Sequence, residues 1–228
     1  MKFFYQSGSM GYGGEGYTWH KILSYDFPKF PIITKTITLM PRLGLPFAVI
    51  PLGQSVWNKV SWHNPGFFKW MENYYNPNLI LSIGGTDEEL QVMCNCLESV
   101  EIAGIELNFS CPNVKKKNDM LPKTRHKLYL KVAYNQNMNF WKHQWNKIER
   151  IHLNSIPGFF GGLSGKVAQK KNWSFIELWS HLIPVPIAGC SFNNWDDIHK
   201  LESLDCRYTG IGSTIITNSK LVNELKEW

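Results

Sequence analysis

Eight short runs of apolar and β-branched residues recur along the chain, at 3–6, 31–38, 78–83, 104–109, 127–133, 150–154, 185–189 and 208–212. Several are apolar without a break, as in parallel strands covered on both faces. Between them the apolar spacing becomes helical. In TDEELQVMCNCLESV, Leu90, Met93, Cys94 and Leu97 share one face, and Thr86 with Glu89 three residues on has the form of a capping box. NNWDDIHKLESL and SKLVNELKEW repeat the amphipathic pattern. WSFIELWSHL is more apolar, as for a helix packed tightly on a sheet. Strand and helix units in eightfold series predict an α/β fold, a compact single-domain (β/α)8 TIM barrel over residues 1–228. An open doubly wound sheet is the alternative; no G-x-G-x-x-G follows the first run, which argues against it.

In such a barrel the chemistry sits at the C-terminal ends of the strands. The first run ends in Ser7-Gly8-Ser9, the second carries Lys35-Thr36, and Asn58 lies in the loop beyond it. The fourth ends in GIELNFSCPN, with Asn108, Ser110, Cys111 and Asn113. The fifth carries Lys131 and the sixth ends in Asn154-Ser155, followed by Gly161-Gly162. The seventh ends in Gly189-Cys190-Ser191 and the eighth in Gly212-Ser213-Thr214. Each residue alone has a plainer reading: a buried thiol, a snorkelling lysine, a loop-capping asparagine, a turn glycine. Their gathering at one rim points to a binding site. Asparagines offer donors and an acceptor to a flat, amide-rich ring. Lysines on strands suit an anion, and glycine- and serine-rich strand ends suit a phosphate held by backbone N–H groups. Cys111 is the one group at this rim able to act as base or nucleophile, which requires thiolate character.

Composition narrows the classes. The formal charge is +6 with a pI near 9.0, but the lysines are dispersed and only Lys115-Lys116-Lys117 cluster. That favours a solvated loop or attraction of an anionic ligand, and nucleic acid is not expected. Five cysteines, an odd number in a chain of 228 residues without a signal-like start, speak against disulfides and fit a reducing cytoplasm. Cys94 and Cys96 lack the spacing of zinc or iron–sulfur ligands, so no metal is expected. No apolar run approaches the ~20 residues of a membrane span.

ELNFSCPNV resembles the signature of the dihydroorotate dehydrogenases, in particular the soluble forms with a cysteine base. SGSMGYGGE, ITKTITLMPRLG, HLNSIPG, GGLSG and GIGST are similar, in order, to other segments of that family. The resemblance implies a (β/α)8 barrel with FMN at its mouth, oxidising dihydroorotate to orotate in pyrimidine (UMP) biosynthesis. It assigns Cys111 to removal of the C5 proton. Asn58, Asn108, Asn113, Asn154, Ser155 and Lys35 would bind the substrate. Ser7, Gly8, Lys35, Thr36, Lys131, Gly162, Gly165, Gly189, Gly212 and Ser213 would bind FMN, with Lys131 facing the reduced ring. The acceptor would be fumarate, or NAD through an electron-transfer subunit, and an aromatic-rich flank would support a homodimer.

The chain departs from the pattern in three places. Ser191-Phe192 stands where the family carries paired glycines at the FMN phosphate, and Phe192 is expected to bring bulk there. Asn58 is followed by KVSWHN rather than the family's substrate-loop sequence. The chain is shorter than the family's usual length, with a trimmed stretch around residues 159–170. A flavin- or pyrimidine-binding barrel without turnover, or a flavin oxidoreductase acting on a related dihydropyrimidine, are the alternatives.

Overall fold

The computed structural model of the chain describes residues 1–16, 27–44, 49–59, 63–110, 120–158 and 161–225. Its centre is a parallel barrel. Strands β1 (Lys2–Tyr5), β2 (Ile32–Ile33), β5 (Leu79–Ile83), β6 (Gly104–Asn108), β7 (Leu128–Val132), β8 (Ile148–Leu153) and β11 (Tyr208–Ile211) form one sheet in the order β11-β1-β2-β5-β6-β7-β8. The gap between β8 and β11 is bridged by residues 187–189, through the parallel pairs Ile151–Ile187 and Gly189–Thr209. Ile151 N donates to Pro186 O (2.9 Å) and Ala188 N to Ile151 O (2.8 Å). Gly189 N donates to Tyr208 O (2.8 Å) and Gly210 N to Gly189 O (2.9 Å).

Seven of the eight predicted runs are therefore strands, and the run at 185–189 is reduced to two bridges. Pro184 and Pro186 explain this, since neither can donate to a ladder. The run at 31–38 shortens to Ile32–Ile33 plus the isolated pair Ile37–Ile83.

Alternation along each strand sorts the side chains. Leu79, Leu81, Ile83, Ile105, Leu107, Leu128, Leu130 and Val132 point outward into one buried layer. There they meet the apolar face of α2 (Asp87–Leu97), namely Leu90, Met93, Cys94 and Leu97. Full burial of each such leucine contributes about 1.5–3 kcal/mol. The capping box forms as the sequence predicts: Glu89 N donates to Thr86 Oγ1 (3.3 Å) and Thr86 N to Glu89 Oε2 (2.9 Å). The other helices are α1 (Phe67–Asn73), a 3-10 segment (Met138–Lys147), α3 (Lys166–Trp179), α4 (Trp195–Ser203), α5 (Thr214–Thr217) and α6 (Ser219–Glu224). No helix among the described residues is long and apolar enough to cross a membrane.

Inside the barrel, Phe4, Ile33, Ile80, Tyr129 and Ala188 form a separate small cluster. The Arg150 guanidinium lies in this cluster, 3.9 Å from the Tyr208 ring centroid, 4.9 Å from Phe4 and 5.2 Å from Tyr129. Three aromatic faces around one cation fill the lower barrel.

A second sheet, which the sequence pattern did not disclose, consists of four antiparallel strands in the order β3-β4-β10-β9. They are β3 (Val49–Leu52), β4 (Ser55–Asn58), β9 (Ile156–Gly158) and β10 (Gly161–Gly165). β4 pairs with β10 so that Asn58 lies opposite Gly162. The chain enters this sheet directly from the ends of barrel strands, so it sits with the residues of the predicted rim.

Thr86→Ala should remove the α2 cap and lower stability by about 1 kcal/mol. Urea unfolding should show a lower midpoint at an unchanged slope; an unmoved midpoint would mean that the cap does not hold the helix.

Candidate active site

The inward positions change character from bottom to top of the barrel. Ile80 is followed by Ser82, Glu106 by Asn108, Tyr129 by Lys131, and Arg150 by His152 and Asn154, each two residues further along its strand. Above them opens a cavity of ≈ 680 Å³. That lies within the ~300–1,000 Å³ typical of small-molecule and cofactor sites.

Its wall contains most of the predicted residues. Lys35, Asn58, Asn108, Lys131, Asn154 and Ser155 converge on it from five different elements or their ends. Ser7, Gly8, Thr36, Gly162, Gly212 and Ser213 also line it. Gly165 and Gly189 do not line this cavity. Gly165, at φ +79°, is the residue before α3, and a Cβ there would come within 2.5 Å of Gln54 O and 3.1 Å of Ser213 Oγ. Gly189 sits in the barrel closure, where a Cβ would meet Thr209 Oγ1 at 2.8 Å. Cys111 and Asn113 lie outside the described residues; Ser110, which precedes Cys111, lines the cavity.

One hydrogen-bonded network runs beneath this wall. Asn154 Nδ2 donates to Ser110 Oγ (2.7 Å), and Ser110 Oγ donates to Asn108 Oδ1 (2.8 Å). Asn108 Nδ2 donates to Thr36 Oγ1 (2.9 Å), which lies 3.0 Å from Ser82 Oγ. Ser82 Oγ donates to Glu106 Oε1 (2.8 Å), and Glu106 Oε2 is 2.7 Å from His152 Nδ1. Glu106 and His152 are each 1% exposed. Sequence reading missed this pair, together with Gln6, Tyr12 and Ser82, whereas it placed Ser110 at the rim.

Burial opposes the Glu106 charge, but the His152 and Ser82 hydrogen bonds and the nearby Lys131 ammonium outweigh it, holding its carboxyl below the usual range. Burial foremost, with the positive Arg150 and Lys131, keeps His152 neutral despite Glu106. Its Nδ1–H therefore donates to the carboxylate. Its ring is stacked on Tyr129 (5.4 Å between centroids) and tilted against Phe4 (4.8 Å).

Lys35 is held from below. Its backbone N donates to Gly11 O (2.8 Å), and its Nζ lies 5.1 Å from the Tyr12 ring centroid. The Tyr12 hydroxyl donates to His63 O (2.6 Å), and the Trp70 Nε1–H donates to Tyr12 O (2.8 Å), which ties the glycine loop to α1. Burial pushes the Lys35 ammonium down to about 8, with Glu15 acting in the opposite sense.

The cavity wall also suits a planar cofactor with polar ring edges. Gln6 Nε2 is buried without a hydrogen-bond partner among the described residues, and Gln6 lines the cavity. Gly212 approaches that amide so closely that a Cβ would lie 2.5 Å from its Oε1. Val56, Ala133, Leu153 and Ile156 add apolar wall.

The expected obstruction by Phe192 is corrected: its ring is 0% exposed and packs on Phe3 with centroids 6.1 Å apart. Ser191 keeps a left-handed backbone, φ +62°, as a glycine could, while its side chain takes a hydrogen bond from Asn172 Nδ2 (3.1 Å). Burial pushes Cys190 up to about 11, and Cys94 and Cys206 up to about 12, so these three stay thiols at neutral pH.

Comparison with known proteins follows the same direction. No family model matches the chain. A putative dihydroorotate dehydrogenase A (fumarate) of Aquifex aeolicus is 33% identical over 120 residues, covering 48% of this chain and 38% of that protein. The catalytic subunit of dihydroorotate dehydrogenase B (NAD(+)) of Listeria welshimeri is 33% identical over 119 residues, with the same coverage of 48% and 38%. The matched stretch thus spans less than two-fifths of each relative's length. Among solved structures, DHODH from Eimeria tenella in complex with ferulenol superposes with a TM-score of 0.70 at 12% identity. That match covers 98% of this chain and 78% of that one, and it shows a shared fold.

Two outcomes follow from this geometry. Phe192→Ala should cost about 3–5 kcal/mol of stability in chemical denaturation, as for a core aromatic; a loss below about 1 kcal/mol would return the ring to the cavity side. Because the Lys35 pKa lies below its ordinary value of 10.5, the ammonium is present below about 8 and lost above it. Affinity for a carboxylate ligand in this cavity should therefore be highest below about 8 and fall as pH rises through it. Lys35→Met should flatten that profile in a binding titration, and an unaltered slope would remove Lys35 from the anion site.

Proposed function

We propose that this chain, a divergent relative of the dihydroorotate dehydrogenases, is an FMN-dependent oxidoreductase that converts dihydroorotate to orotate in pyrimidine biosynthesis. The observation that carries this reading is the convergence of Lys35, Lys131, Asn58, Asn108 and Asn154 on one cavity wall. Amides match the carbonyl and N–H edges of a pyrimidine ring, and the ammonium groups match a carboxylate or an electron-rich cofactor ring.

Ser7, Gly8, Thr36, Lys131, Gly162, Gly212 and Ser213 would hold FMN, with Gly165 and Gly189 shaping the backbone behind them. FMN, when bound, supplies the acceptor for the two electrons and the C6 hydrogen. Asn58, Asn108, Asn113, Asn154 and Ser155 would hold the substrate ring flat, with Lys35 at its carboxylate. Cys111 Sγ would take the C5 proton as a thiolate, a state that an ammonium group beside it would favour. None of the described cysteines, Cys94, Cys96, Cys190 and Cys206, lines the cavity, which leaves Cys111 to supply the base.

A related dihydropyrimidine is the second reading, because the sequence KVSWHN after Asn58 departs from the family's substrate-loop sequence. There His63 is engaged by Tyr12 and by Gly44 N, which donates to His63 Nδ1 (3.2 Å).

FMN-loaded protein mixed with dihydroorotate and fumarate should form orotate, followed by near-ultraviolet absorbance. Cys111→Ala should slow this by roughly 10²–10⁴-fold at neutral pH while leaving orotate binding intact. No orotate from the wild-type protein, with fumarate or with an artificial acceptor, rejects the activity; an undiminished rate in Cys111→Ala rejects that base.

A further inference from the structure

The network beneath the cavity ends in a group that can only accept. An ionised carboxylate has no proton to give, so every hydrogen bond that reaches Glu106 must point towards it. Ser82 Oγ, 2.8 Å from Glu106 Oε1, therefore spends its one proton there. Ser82 Oγ can then only accept, from Thr36 Oγ1 at 3.0 Å and from Ser7 Oγ at 3.4 Å, and the shorter contact makes Thr36 the donor in its pair. With its own proton spent, Thr36 can only accept from Asn108, which fixes Nδ2 rather than Oδ1 on that side (2.9 Å). Asn108 Oδ1 is thereby turned to Ser110, taking its N–H (3.3 Å) and its O–H (2.8 Å). Ser110 Oγ is left as the acceptor for Asn154 Nδ2 (2.7 Å). One buried charge, together with the Ser110 backbone N–H that can only donate to Asn108 Oδ1, thus sets the orientation of two cavity amides. The farther of them belongs to Asn154, 48 residues from Glu106 in the chain.

We infer that Glu106 is a positioning residue, which orients the Asn108 and Asn154 side-chain amides so that each keeps an N–H for the carbonyl or carboxylate oxygens of a ring ligand. The inference rests on the orotate reading for the ligand, but not for the orientation itself. Glu106 is suited to this role by its surroundings. It is 1% exposed, its second oxygen is held by His152 Nδ1 at 2.7 Å, and Lys131, 9% exposed, lies in the adjacent strand. The directional chain is a consequence of charge, because a neutral amide at the same place can either donate or accept, which leaves the 3.3 Å contact from the Ser110 N–H as the one fixed donor on Asn108 Oδ1.

Two variants break the chain at different links. Glu106→Gln removes the charge and keeps the volume; Ser82→Ala keeps the charge and removes the relay. In the wild type, the Asn108 Nδ2 protons, assigned in ¹⁵N spectra with Asn108→Asp, should exchange slowly with solvent. Both variants should lose that protection, and both should weaken orotate binding about tenfold, the effect of one or two misdirected hydrogen bonds. FMN uptake should be retained in both. If both variants keep the protected amide and wild-type orotate affinity, Glu106 does not set the orientation and the inference is overturned. Should Glu106→Gln not fold, Ser82→Ala alone decides by the same two readouts. If the wild type binds no orotate, the functional reading fails, while amide exchange still decides the role of Glu106.

Discussion

The interior of a small barrel is narrow, and every second residue of each strand has to be accommodated in it. This constraint divides the molecule. Outward residues of the strands are almost uniformly Leu, Ile and Val and hold the helices. Inward residues change from aromatic rings stacked on Arg150 at the bottom to serines, amides and ammonium groups at the top. At the boundary sits Glu106, a charge with almost no access to water. Isolated, it would be too costly to bury. Its serine, histidine and lysine neighbours offset that cost, and the same contacts give the polar mouth its orientation.

Closure of the ring depends on few contacts. Residues 187–189 join β8 to β11 with two isolated pairs, because the flanking prolines withhold donors. Gly189 serves this closure: a side chain there would collide with Thr209. Ser191 and Phe192 follow immediately, and Phe192 anchors the turn in the core while Ser191 supplies the left-handed step. Bulk in the sequence at this point is thus bulk directed away from the cavity.

Much of this was legible beforehand. Buried parallel strands are apolar on both faces, so the runs at 78–83, 104–109 and 127–133 stand out without any structure. Polar residues at their ends are equally plain, and Lys35, Asn108, Lys131 and Asn154 do meet at one cavity. Glu106 and His152 were not legible, because their partnership depends on which parity of each strand faces inward, and they lie 46 residues apart. The four-stranded antiparallel sheet was also hidden: β10 is GGLSG, whose glycines carry no alternation to read. Cys111, the most distinctive residue of the sequence, lies outside the described residues, and its role rests on the motif and on the cavity that Ser110 lines.

In the proposed function, one cavity takes both a flavin and a flat pyrimidine in contact. Titrating FMN into the protein, then orotate into the FMN-loaded form, tests this most directly by the flavin absorption spectrum. One FMN per chain should bind, and orotate should then perturb the flavin band saturably. A protein that takes up no FMN, or a flavin spectrum indifferent to saturating orotate, would contradict it.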